Sequence, residues 1–180
     1  MQSCFGATKA GRRGFSLVEL IAVMVIMSAL AFSAAPAVRS MTSARQGAMS
    51  RQLVRLLELA RAHATASGQP TGLVYSSASG VFQLRRIASD GAAPTAMLNP
   101  LGGTYEDLVL SVEFPSVAVT GFVTGDGNAK HQAIWFSFNG TPEIRNGLGG
   151  YLSGFTQDAA ITTTGSHSVT VRMTSGAIEG

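Results

Sequence analysis

The sequence is poor in sulfur chemistry and in charge. Its one cysteine, Cys4, among 180 residues excludes an intrachain disulfide and any multi-cysteine metal site. His63, His131 and His167 stand at no metal-ligand spacing from one another or from Cys4, and there is no HExxH pattern. No GxSxG elbow occurs, although composition alone leaves a Ser-His-Asp arrangement open. No glycine-rich phosphate loop follows a strand and opens a helix. The expectation is therefore no metal, no cofactor and no catalytic residue, and so no enzyme. Charged residues make up only 13%, about half the usual globular share, while 46% are hydrophobic. There is no evident internal repeat, and the length suits one globular domain with an extra element.

What is present is a concentration of apolar residues at 15–38, a run of 24 with a single charge, Glu19. At helical rise it spans about 36 Å, enough to cross a bilayer core. The formal net charge of +3 comes from the segment before it. Lys9, Arg12 and Arg13 precede the run with no acid among them, and from residue 15 onward 10 basic side chains face 10 acidic ones. Bulk charge thus says nothing of a polyanionic partner. Cys4 also lies before the run. Orientation stays open by charge count, because Arg39, Arg45, Arg51, Arg55 and Arg61 follow on the other side.

Ala34-Ala35-Pro36-Ala37 has the small residues of a secretory cleavage site, but the run is longer than such signals carry. Glu19 also argues against that reading. A carboxylate in hydrocarbon costs about 2.5–3.5 kcal/mol on insertion scales and by default marks function. The plain alternative is a carboxylate that snorkels to the headgroups from one turn into the helix.

Gly14 followed by Phe15-Ser16-Leu17-Val18-Glu19-Leu20 resembles the prepilin cleavage and methylation motif of type IV pilins and type II secretion pseudopilins. The resemblance implies cleavage after Gly14 by a prepilin peptidase that also N-methylates Phe15. It implies a single-pass protein of the bacterial inner membrane, N-terminus cytoplasmic and C-terminal head periplasmic. Its implied partners are that peptidase, other pilins or pseudopilins, and the inner-membrane assembly platform. Glu19 would meet the new amino group of a neighbouring subunit. Such a buried pair penalises wrong registers, since an unpaired buried charge costs about 3–5 kcal/mol. Pro36 stands where many pilins carry a helix-kinking proline.

From 40 to 67 a second helical pattern continues the first. Met41, Ala44, Met49, Leu53, Leu56, Leu57, Ala60 and Ala64 form an apolar stripe, and Gly68-Gln69-Pro70 ends it. Beyond it, strands are expected at 72–76, 81–87, 108–114, 117–123, 133–138, 159–163 and 168–173, with a long loop at 88–103. The expected fold is α+β: a long N-terminal helix packed on an antiparallel head of two small sheets. The expected division is a leader at 1–14, a membrane or filament-core helix at 15–38, an amphipathic continuation at 39–68 and a β-rich head at 69–180. His63 reads as a surface residue, Trp135 as core, and Gly125-Asp126-Gly127-Asn128 and Asn139-Gly140-Thr141 as turns rather than a calcium loop and a glycosylation site.

Three segments are similar to the H-type minor pseudopilins and their fimbrial T-type relatives, the GspH/FimT group. They are 53–65 with its Ala60-Arg61-x-x-Ala64 core, 134–142 ending in an aromatic and a Gly-x-Pro turn, and 169–178 with Thr174-Ser175-Gly176. The resemblance implies a minor pseudopilin that helps initiate, cap or regulate a periplasmic filament, in type II secretion first. The alternative is a T-type minor pilin in pilus biogenesis or DNA uptake. Nucleic-acid binding is the less favoured partner, because Arg85, Arg86, Lys130, Arg145 and Arg172 are scattered in sequence.

Overall fold

A computed structural model of the chain describes residues 16–128 and 132–180, and the side chains of 33–39 fall outside that description. The chain divides into two units, with the boundary between Ser40 and Met41. Helix α1, Leu17–Ser67, runs through both. It starts where Ser16 caps it: Ser16 Oγ accepts the Glu19 N–H at 3.2 Å, and the Ser16 carbonyl accepts the Leu20 N–H at 3.2 Å. Ser-x-x-Glu is the spacing of a capping box, which puts Glu19 in the first turn, where the helix dipole favours an anion.

In the second unit α1 is amphipathic. Met49, Leu53, Leu57, Ala60 and Ala64 are fully buried, while Arg51, Arg55 and Glu58 are exposed. Full burial of each leucine contributes roughly 1.5–3 kcal/mol. The expected stripe began earlier, at Met41 and Ala44, but both are exposed; complete burial begins at Met49 and continues where strand residues face the helix. The helix ends at Ser67, where Gly68-Gln69-Pro70 was expected to end it.

The strands are β1 Thr71–Ser76, β2 Val81–Arg86, β3 Thr95–Ala96, β4 Leu108–Val109, β5 Val119–Val123, β6 Ala133–Phe136, β7 Pro142–Arg145, β8 Tyr151–Gly154, β9 Ala159–Thr163, β10 Ser168–Val171 and β11 Ile178–Glu179. A short helix, α2 Leu110–Glu113, follows β4. All pairings are antiparallel. One sheet has the order β3-β2-β1-β6-β7-β8 with β4 also on β2, and the other the order β11-β10-β9-β5. Leu73, Phe82, Ile134 and Phe136 of the first sheet share one core with Ile161, Val169 and Val171 of the second and with α1. Tyr75 bridges the sheets, with its ring 4.6 Å from Phe82 and 6.1 Å from Phe122.

Four features depart from the expected strands. Residues 108–114 begin as β4 but turn into α2, because their partner β2 begins at Val81 and leaves Leu110 only the Gly80 carbonyl, at 3.1 Å. The long loop at 88–103 holds β3 and an isolated Leu98–Thr104 bridge. β7 carries two charges and so lacks a strand's apolar alternation, yet all four of its residues are buried. β8 and β11 are four and two residues long, too short for a pattern.

Two turns repeat one design. Asn99-Pro100-Leu101-Gly102-Gly103 and Asn146-Gly147-Leu148-Gly149-Gly150 share the pattern Asn-x-Leu-Gly-Gly. In each, the asparagine Oδ1 accepts two backbone N–H groups, from the leucine and from the second glycine, at 2.9–3.1 Å. The first glycine has φ 86° in one and 84° in the other, a region that favours glycine. Their surroundings differ. A Cβ at Gly102 meets open space, whereas one at Gly149 would lie 2.2 Å from the Ala92 carbonyl oxygen. Gly102→Ala is therefore expected to cost only the backbone strain, about 1–2 kcal/mol, and Gly149→Ala clearly more. Urea unfolding of the two variants checks this; equal losses would show that the Ala92 contact relaxes freely.

Candidate functional site

Of the residues expected to act at the N-terminus, Gly14 and Phe15 lie outside the described residues. Glu19 lies inside them, solvent-exposed in the first turn of α1, with its backbone N–H held by Ser16. Every described side chain from Ser16 to Phe32 is exposed, including Leu17, Val18, Leu20, Ile21, Met24, Ile26 and Leu30. A helix apolar on all sides has no stable place in water and calls for burial against lipid or other helices. Among the described residues no helix is long and apolar enough to cross a membrane. The expected span at 15–38 includes Phe15 and positions 33–38, whose side chains are not described. Pro36 is among these; the backbone of α1 is helical through that position.

In the globular unit the three segments singled out in the sequence meet at Arg61. Its Nη1 donates to the Gly176 carbonyl at 3.1 Å and its Nη2 to the Ser175 carbonyl at 2.9 Å. Gly140 lies against the same side chain: a Cβ there would sit 3.3 Å from Arg61 Nε. A Cβ at Gly176 would come within 2.8 Å of the Gly140 carbonyl oxygen. The Ala-Arg-x-x-Ala helix, the Gly-x-Pro turn and the terminal turn thus form one junction, which explains why these small and basic residues occur together.

The remaining candidates resolve as follows. The Asp126 carboxylate accepts from Thr124 Oγ1 at 2.5 Å and from the Asn128 N–H at 2.9 Å, bonds that build a turn. Asn139 Oδ1 accepts from Ser137 Oγ, the Thr141 N–H and Thr141 Oγ1, again a turn. No group of three or more acidic, histidine or cysteine side chains able to hold a metal occurs among the described residues. His131 and Lys130 fall outside them.

His63 is not a free surface residue. It is half-buried, with Nδ1 3.1 Å from Thr71 Oγ1, and burial first, then the charge of Arg86, lowers its pKa. Trp135 is buried but is not part of the shared core. It stands on the opposite face of β6 from Ile134 and Phe136.

Two arginines of the globular unit are committed to carboxylates. Arg145 is engaged by Glu143 at 2.6 Å and Asp90 at 3.0 Å. Arg172 lies between Asp158 and Glu179, each at 2.8 Å, and these carboxylates raise its pKa, while the Met173 N–H first and then Arg172 hold the Asp158 carboxyl low. Arg85 and Arg86 point to opposite faces of β2, as alternation requires.

The outer face of the larger sheet was not legible in the sequence. There the buried Glu143 and Arg145, the exposed Asp90 and the Gly149 carbonyl make a polar cluster beside a cleft of about 610 Å³ that Trp135, Arg85, Gln83 and Asn146 help to line. The one signal in the sequence was the charged pair two apart in β7.

A basic segment, a methylation-type motif and an apolar helix leading into a two-sheet globular unit define a type IV pilin-like protein. Residues 9–35 match the prokaryotic N-terminal methylation motif. Residues 49–176 match the model for type II transport protein GspH, and the chain belongs to that family. No curated protein matches the chain. Among solved structures, the minor pseudopilin EpsH from the type 2 secretion system of Vibrio cholerae is similar, at 13% identity over 75% of this chain and 94% of that one, with a TM-score of 0.49.

Proposed function

We propose that this chain is a minor pseudopilin of type II secretion, a structural subunit that helps initiate, cap or regulate a short periplasmic filament. The observation that carries the reading is the joining, in one chain, of a methylation motif at 9–35 to a GspH region at 49–176. In this reading residues 1–14 are removed after Gly14, Phe15 is methylated, and 15–38 anchor the protein in the inner membrane and later lie in the filament core. Residues 39–68 continue the helix into a periplasmic head at 69–180. Prepilin peptidase, other pseudopilins and the assembly platform are the partners, and Glu19 sets the register among them. The role is assembly, not catalysis.

Deletion of the gene, with complementation, tests this. Loss of a type II exoprotein from the medium, with its accumulation in the periplasm and with surface pili intact, is expected. Normal secretion with lost pilus function or lost DNA uptake would replace the proposal with the pilus reading.

A further inference from the structure

The outer face of the larger sheet carries a row of in-register residues across four strands: Arg85, Gly72, Trp135 and Glu143. Gly72 leaves a gap in that row. A Cβ there would stand 2.7 Å from two ring atoms of Trp135, so the indole lies over the glycine, toward Arg85. The loops at 90–94 and 146–150 bound the cleft above, with Pro94 and Asn146 in its lining. At about 610 Å³ it lies within the ~300–1,000 Å³ of clefts that hold ligands.

The charges in this cleft are uneven. Arg145 is taken up by two carboxylates, Glu143 and Asp90. Arg85 has no acidic partner among the described residues. Its Nη2 donates one bond, to Gln83 Oε1 at 2.7 Å. Gln83 is itself fixed, because its Nε2 donates to Asp107 Oδ2 at 2.5 Å. Asp107 therefore orients the amide that holds the guanidinium, and most of the five donors of Arg85 remain open. No acidic residue is among the described residues that line the cleft. A planar guanidinium held in place beside an aromatic wall suits a carboxylate, which it can meet with two parallel bonds.

We propose that this cleft docks an acidic segment of a partner polypeptide, with a Glu or Asp carboxylate on Arg85, beside the mostly covered indole of Trp135. A nucleic acid fits less well. One uncommitted guanidinium meets one phosphate, whereas binding to nucleic acid rests on neutralising many, about 6–10 in a typical contact set. The inference concerns the globular unit and does not rest on the role assigned to the N-terminus.

Trp135 is the only tryptophan in the chain, so its fluorescence reports on the cleft directly. The full-length protein in detergent micelles is titrated with a decapeptide of alternating Glu and Thr, with its Gln-for-Glu counterpart, and with a 20-nucleotide single strand. The expected result is a saturable, salt-sensitive change with the Glu peptide and at least tenfold weaker binding of the Gln peptide. Arg85→Gln is expected to lose at least tenfold in affinity for the Glu peptide, and Arg85→Lys to fall between. Arg55→Gln, on the exposed face of α1, is expected to bind like the parent. Equal binding of the two peptides, unchanged binding by Arg85→Gln, no saturable change at all, or a response to the oligonucleotide alone would each overturn the proposal.

Discussion

Arg145→Met is expected to destabilise the globular unit by about 3–5 kcal/mol, read as a lower urea midpoint by circular dichroism. The Arg145 and Glu143 side chains are each only 6% exposed, and Nε lies 2.6 Å from Glu143 Oε1. The same guanidinium holds the Gly149 carbonyl at 2.6 Å through Nη1. Methionine fills much of the volume but leaves a buried carboxylate and a buried carbonyl without donors. The double variant Glu143→Leu, Arg145→Met removes both charges and is expected to regain most of the loss. A single variant that loses less than about 1 kcal/mol would show that water reaches Glu143 easily.

Asp90 belongs to the same cluster, with the opposite exposure. Its side chain is 71% exposed, so solvent screening keeps its share small. The Tyr151 N–H first, and then the Arg145 guanidinium, hold its carboxyl below the ordinary value of 3.8. A depressed folded value means that its stabilising contribution is complete above pH 3.8 and disappears as pH falls through the lower folded value. Asp90→Asn is therefore expected to narrow the stability difference between pH 6 and pH 3 without changing the fold.

Glu19→Ala is expected to leave cleavage after Gly14 intact and to reduce incorporation into the filament on the order of a hundredfold or more. The size follows from leaving a neighbour's buried ammonium unpaired, about 3–5 kcal/mol. Mass spectrometry of the mature N-terminus and cross-linking to neighbouring subunits read the two steps separately. The hydrogen bond from the Glu19 N–H to Ser16 Oγ adds a second role to separate, since Glu at this position also serves a capping box. Gln caps as well as Glu but carries no charge. Glu19→Gln is expected to fail like Glu19→Ala; assembly at the parent level would leave Glu19 a helix-capping residue only.

Much of the fold was legible because its signals are local. The helix from 17 to 67, its end at Gly68-Gln69-Pro70 and the strands at 71–76, 81–86, 133–136, 159–163 and 168–171 follow from periodicity and turn residues close in sequence. The strand β7 was not legible, because Glu143 and Arg145 are buried only through each other and through Asp90, which lies more than fifty residues away. Trp135 reads as core from its neighbours Ile134 and Phe136, but alternation places it on the other face, where Gly72 makes room for it. Arg61 was visible as part of a motif, while its partners Ser175 and Gly176 come from the far end of the chain.

The sequence by itself determined the N-terminal chemistry of this protein: a basic segment, Gly14 before Phe15, an apolar run and one carboxylate within it. Those features are defined by their spacing in sequence, and spacing is written in the chain. The tertiary structure alone decided which arginines of the globular unit are paired with carboxylates and which are not. Arg145 and Arg172 are neutralised by carboxylates brought from other strands and loops, and Arg85 is held by a glutamine instead. A net charge counts all of them alike, whereas folding distributes their partners by distance, and at protein dielectrics a few ångströms separate a neutral pair from an available cation.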